Sequence, residues 1–257
     1  DYSSLDAILR KTIDYEESSD TMWRKKTLLI AKPSDETTLG YPVLESIKSD
    51  ACDTNSYEYY RVYDSDYELT PKPEVYPCNE TNVVNMWKEG FGYVTWFTHG
   101  SVDNASGVFG TWLVTQLKDS FPSFTYQASC NNGWPESSGN LGYSLLKYGA
   151  VSTVSASRVS WYSISNSGIF YEANNQGLQR NYSILLLKGC CCGDALYQTK
   201  TYCWQHSSSD VHYLMNLFDY NLYGDPALSI IPDFNKGKVI IKIDSISATE
   251  FTSRDDS

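Results

Sequence analysis

Short apolar or β-branched runs alternate with segments of helical spacing along most of this chain, and that alternation constrains the fold more than any other feature. Residues 27–31 (TLLIA), 57–63, 92–98, 124–129 and 150–157 read as strands. The run at 27–31 has no polar alternation, as in a strand buried on both faces. Helices are expected in the first segment, where Ser3 or Ser4 can cap and Leu5, Ile8, Leu9 and Ile13 share one stripe. Others are expected at 43–47, 82–88, 111–117 and 141–148, the last closed by Gly149, with longer, mainly helical segments near 163–180, 190–203 and 208–221. Residues 64–79 carry Pro71, Pro73 and Pro77 and read as a loop. The strand-helix unit recurs at roughly 25–35 residues, the spacing that helical crossovers between parallel strands require. The expected class is therefore α/β, a mostly parallel sheet flanked by helices. One unit is expected over residues 1–232; residues 233–257 hold a further strand at 238–243 and a polar linker or the start of a following module.

Composition removes several function classes. Lys plus Arg number 20 against 31 Asp plus Glu, a net charge of −11, and there is no basic run to neutralise phosphates, so nucleic acid is excluded as a partner. With 14% aromatic and 20% charged residues the chain has enough apolar surface to order itself. Its longest strongly apolar runs, such as 184–187, fall far short of the roughly 20 residues of a membrane span. The sequence starts at Asp1 with neither Met nor a signal peptide, as expected of a mature or excised piece. Sequons at Asn79, Asn104 and Asn181 favour a secretory route, although an Asn- and Ser-rich chain also produces them by chance. The seven cysteines are Cys52, Cys78, Cys130, Cys190, Cys191, Cys192 and Cys203, an odd number that leaves one thiol over. The triplet and Cys203 lack the spacing of a zinc site. Disulfides are the expectation, Cys52 with Cys78 and Cys203 with one of the triplet; in a reducing compartment all six are thiols instead.

Two residues stand where an α/β sheet presents its chemistry. His99 and Cys130 each lie just past an apolar strand, one crossover apart, where loops and helix N-termini offer free backbone donors. A free cysteine, with a pKa of about 8.5, is only a few per cent thiolate at neutral pH, and a nearby imidazole can take its proton and later protonate a leaving amine. Gly100, with no Cβ, lets its amide approach a substrate and act with the Cys130 amide on an oxyanion. Singly, such a histidine or cysteine is more often structural. Together they point to a Cys-His hydrolase, and Cys130 is the thiol left over if the other six pair. His206 and His212 flank Asp210, which suits a surface role better than a metal site.

Four stretches, ILRKTIDYE (8–16), YVTWFTHGS (93–101), ASCNNG (128–133) and YNLYGDPAL (220–228), resemble the gingipain-type cysteine peptidases. The resemblance implies a caspase-like (caspase-hemoglobinase) fold, shared with caspases and legumain, and cysteine endopeptidase activity through an acyl-enzyme. It makes His99 the catalytic histidine and Cys130 the nucleophile, with the amides of Gly100 and Cys130 as oxyanion donors. Ala128 and Ser129, and the stretch Arg158, Val159, Ser160, Trp161 and Tyr162, line the pocket for the residue before the scissile bond; Trp161 and Tyr162 are equally read as core aromatics. No cofactor is needed for the chemistry, and structural calcium is expected, with the acidic stretch 64–68 able to supply oxygens. Asp225 in Tyr-Gly-Asp-Pro is most simply a turn or capping residue. The family's selecting acid lies upstream of the part that this chain matches, so the N-terminal portion and some strands are expected to be missing, supplied by a separate chain of the same precursor or lost by truncation. Asp50, Asp53 and Asp103 are the local acids, read mainly as solvated loop carboxylates. The implied setting is secreted or cell-surface. The rival reading is an inactive caspase-like scaffold or adhesion domain.

Overall fold

The computed structural model describes residues 2–33, 39–64, 72–163, 170–207 and 210–231. Six strands form the main sheet: β1 (Lys26–Ala31), β2 (Glu58–Tyr63), β3 (Tyr93–Phe97), β6 (Ser123–Ala128), β7 (Ala150–Ala156) and β8 (Tyr220–Gly224). Their order is β2-β1-β3-β6-β7-β8. The first five are parallel and β8 runs antiparallel to β7. A two-stranded ribbon, β4 (Asn104–Ala105) with β5 (Phe109–Gly110), follows β3.

Alternate residues of β1 supply two cores. Leu29 and Ala31 join one cluster with helices α1 (Tyr2–Glu17), α2 (Tyr41–Ile47), α6 (Asn175–Leu187), α7 (Cys192–His206) and α8 (Val211–Asp219). Leu28 and Ile30 face the other way and join α4 (Glu80–Trp87) and α5 (Leu141–Lys147). A π-helical turn, Lys48–Cys52, links α2 to the short α3 (Asp53–Asn55). With both faces covered, the central parallel strands carry mostly apolar residues and buried hydroxyls such as Thr27, Thr95 and Thr125, without the polar alternation of a half-exposed strand.

The expected helices appear with small shifts, and residues 111–116 form a 3-10 rather than an α-helix. The expectation for 163–180 is half corrected: 170–174 are not helical, and α6 starts only after the Asn174 side chain caps it by accepting from the Gly177 amide at 2.8 Å. The stretch 208–221 gives α8 but ends in strand: Tyr220 and Asn221 open β8, whose short run has no strand periodicity. The α1 stripe is corrected too. Leu5, Leu9 and Ile13 are half exposed, and the helix is anchored instead by Lys11, which reaches Asp119 at 3.0 Å, and by Tyr15. The Tyr15 ring packs edge-on against Trp23 and Phe124, and its hydroxyl donates to the Ile230 carbonyl at 2.9 Å. The strand expected at 238–243 lies outside the described residues.

The disulfide expectation does not hold. All seven cysteines are free thiols. Cys52 belongs to one core and Cys78 to the other, so the sheet stands between them. Burial pushes the thiols of Cys52, Cys78 and Cys203 up to about 12 and that of Cys192 up to about 11, which keeps them protonated and inert at neutral pH. The leftover-thiol argument for Cys130 therefore falls, and its case rests on where it sits. No described helix is long and apolar enough to cross a membrane.

Candidate active site

Strand register brings the two loops together. Phe97 pairs with Ala128, the last residues of β3 and β6, and the Thr98 amide still donates to the Ala128 carbonyl at 3.2 Å. His99 and Cys130 each stand two residues beyond that pair, on the carboxyl edge of the sheet. Past this point Gly100 lies against the cysteine's own backbone. A Cβ there would sit 2.6 Å from the Cys130 carbonyl oxygen, 2.8 Å from the Ser129 Cβ and 3.1 Å from the Cys130 nitrogen. Only glycine lets the loops come this close. The bridge between Gly100 and Ala105 is carried by its neighbours, Ser106 donating to the His99 carbonyl and Ser101 to that of Asn104, both at 2.8 Å, which leaves the Gly100 N–H outside the ladder. The His99 ring is exposed and meets Tyr162 edge-on, with centroids 6.4 Å apart.

Asn132 ties the loops from below, and sequence reasoning missed it. Its buried side-chain amide donates to the carbonyls of Ser101 at 2.6 Å and Asn104 at 2.9 Å, in the histidine loop. Its oxygen accepts from the Ser129 hydroxyl, which in turn accepts from the Trp96 indole of β3 at 2.9 Å. Between them Asn131 takes a left-handed conformation (φ 60°), and its amide donates to the Arg158 carbonyl at 3.0 Å.

The Cys130 sulfur is half-buried against residue 160. The Ser160 amide donates to it at 3.4 Å, the thiol points at the Ser160 carbonyl at 3.5 Å, and the Ser160 hydroxyl stands at 3.8 Å. Of the expected pocket wall, Trp161 and Tyr162 are partly exposed, whereas Ala128 and Ser129 are buried and the Ser129 hydroxyl is engaged in the loop tether. Trp161 packs on His212, centroids 4.4 Å apart, and His212 bonds Asp210 at 3.1 Å. Asn216 of α8 grips the wall by accepting from the Trp161 amide at 2.9 Å and donating to the carbonyls of Trp161 and Ala173. Asn175 and Tyr220 converge on the Ser160 hydroxyl at 3.0 and 3.3 Å. No local sequence signal marks these three, because they come from separate elements.

The remaining candidates have partners of their own. Asp50 pairs with Arg180 at 2.5 Å and Asp53 with Lys48 at 2.8 Å, while Asp103 accepts from the Ser101 hydroxyl at 2.7 Å, which holds its carboxyl below the usual range. His206 contacts the Tyr202 carbonyl at 2.7 Å. Asp225 accepts from the Ala227 amide at 2.9 Å, as a turn residue does. Asp64 pairs with Lys32 at 3.0 Å; residues 65–68 of the proposed calcium loop lie outside the described residues. Among the described residues no three His, Cys, Asp or Glu side chains gather into a metal site.

Comparison with known proteins bears on the fold and the family. Gingipain R (RgpB), described as an Arg-specific cysteine proteinase, matches at 17% identity with a TM-score of 0.70, over 88% of this chain and 52% of that one. A complex of Porphyromonas gingivalis RgpB pro- and mature domains matches at the same identity and TM-score over 88% and 53%. A structure described only as a protease matches at 13% identity with a TM-score of 0.59, also over 88% and 53%. At these identities the likeness is one of fold, the mostly parallel caspase-like sheet, and the chain spans about half the length of each solved relative. No curated protein matches the sequence. The profile of peptidase family C25 covers residues 1–231, and the chain belongs to that family.

Proposed function

We propose that this chain carries the catalytic centre of a cysteine endopeptidase, with Cys130 as nucleophile and His99 as its proton carrier. The observation that supports this most is the meeting of the two strand-end loops at Gly100 and Cys130. In this reading the Cys130 thiol loses its proton to His99 and the sulfur attacks the peptide carbonyl carbon. The N–H groups of Gly100 and Cys130 receive the developing oxyanion. As the tetrahedral intermediate collapses, the C–N bond breaks, His99 gives the proton to the leaving amine, and a thioester to Cys130 remains. Water, deprotonated by His99, then releases the acid and restores the thiol. Trp161 and Tyr162 form the wall beside the residue that precedes the scissile bond.

Family membership supports the general class, and the RgpB pro- and mature-domain complex is a precedent for a partner chain cut from the same precursor. The same reading has the protein secreted or at the cell surface, glycosylated at its sequons, and binding structural calcium; residues 1–232 form the peptidase unit. A thiol-directed peptide inhibitor tests it. Covalent labelling at Cys130 that is lost in His99→Ala is the expected result; an unlabelled Cys130 under reducing, calcium-containing conditions refutes the peptidase and leaves the inactive scaffold.

A further inference from the structure

The Ser160 hydroxyl sits at the end of a hydrogen-bond chain whose direction is fixed from its far end. The Trp161 amide can only donate, so the Asn216 side-chain oxygen must face it, at 2.9 Å. The Asn216 amide nitrogen therefore points the other way, to the carbonyls of Trp161 at 2.8 Å and Ala173 at 2.9 Å, and to the Asn175 side-chain oxygen at 3.4 Å. That orientation leaves the Asn175 amide nitrogen to donate to the Ser160 hydroxyl oxygen at 3.0 Å. Tyr220 donates to the same oxygen at 3.3 Å. A hydroxyl oxygen has two lone pairs and one proton. With both lone pairs taken, the Ser160 proton is left for the Cys130 sulfur, 3.8 Å away, beside the Ser160 amide at 3.4 Å.

We propose that Asn216, Asn175 and Tyr220 are positioning residues that act through Ser160, turning its hydroxyl proton and amide toward the Cys130 sulfur so that the thiolate is stabilised in its attacking position. The inference rests on Cys130 being the nucleophile. Its logic is that of a buried polar network: each member is satisfied, and the one unspent donor faces the group that becomes charged. The titratable groups set beside that sulfur are His99 in the adjoining loop and Tyr220 of β8; Ser160→Ala and Asn175→Ala alter neither, whereas Tyr220→Phe removes one of them.

The test is the rate at which iodoacetamide alkylates Cys130, followed across pH by mass analysis of the fragment that contains it. The thiolate displaces iodide to form a thioether, so no peptide substrate is needed. Ser160→Ala and Asn175→Ala are each expected to slow the reaction at neutral pH about tenfold, the size of one hydrogen bond to a charged group, and to move the rate profile to higher pH. Tyr220→Phe is expected to slow it about threefold. Because Asn175 acts through the Ser160 hydroxyl, Asn175→Ala is expected to add nothing in a Ser160→Ala background. Unchanged profiles in folded Ser160→Ala and Tyr220→Phe, each of which removes a single oxygen, overturn the proposal, as does a full additional loss in the double variant. If wild-type Cys130 reacts no faster than in the urea-unfolded chain, the peptidase reading fails and takes the inference with it; fast wild-type reaction with unaffected variants sinks the inference alone.

Discussion

Gly100→Ala is the sharpest single perturbation of the proposed site. The added methyl carbon would lie 2.6 Å from the Cys130 carbonyl oxygen, about 0.8 Å inside the 3.4 Å at which such contacts become ordinary. Its other close neighbours are the Ser129 Cβ at 2.8 Å and the Cys130 nitrogen at 3.1 Å, so no flexible side-chain tip can swing away. The backbone angle at Gly100 is not left-handed, which means that steric overlap rather than dihedral strain is the whole effect. The loops must therefore separate by the better part of an ångström, carrying His99 away from Cys130 and the Gly100 amide away from the oxyanion position. Overpacking of this kind costs about 1–3 kcal/mol of stability. A misplacement of about 1 Å between reacting groups costs about 10²-fold in rate. The expected result is a folded protein whose Cys130 labelling by a peptide inhibitor falls about a hundredfold, with a modest drop in melting temperature. Gly139→Ala is the control: a Cβ there meets only the Ser137 hydroxyl at 3.8 Å, and both readouts are expected to stay near wild type. A Gly100→Ala protein that labels within threefold of wild type refutes the placement of the two loops.

Asn132→Ala removes the donor for the Ser101 and Asn104 carbonyls and the acceptor for the Ser129 hydroxyl; urea denaturation is expected to show a loss of about 1–3 kcal/mol, with slower labelling of Cys130, and wild-type values for both would contradict the tether. The buried Asp219 carboxyl is raised by desolvation, against the opposing pull of Arg158 and Lys200. The folded chain therefore binds the proton more tightly than the unfolded one. That contribution to stability is fully present below the ordinary aspartate value of 3.8 and is lost as pH rises through the higher folded value. Asp219→Asn is expected to flatten this part of the urea-midpoint profile against pH, and an unchanged slope would contradict the burial argument.

What could be read from residue order was whatever depends on a short window. β1 and β3 announce themselves because a strand covered on both faces shows a nearly unbroken apolar run, and α4 and α5 because their helical spacing fits one short window, the second closed by Gly149. β8 escaped because it is an edge strand, five residues long, whose pairing with β7 is specified by the sheet and not by its own pattern. The α1 stripe misled because periodicity records which residues share a face without saying which face meets a neighbour. The cysteines misled because an odd count carries no geometry, and only the sheet between Cys52 and Cys78 rules out their bond.

The same division runs through the site. The sequence alone determined that His99 and Cys130 end strands of one parallel sheet, since each follows an apolar run directly. Only the tertiary structure decided that those strands are neighbours, through the pairing of Phe97 with Ala128, and that Gly100 touches Cys130. It alone gathered Asn132, Ser160, Asn175, Asn216 and Tyr220 around them, because a hydrogen bond between residues tens of positions apart leaves no trace in either one's local sequence and exists only once the strands and helices that carry them are packed.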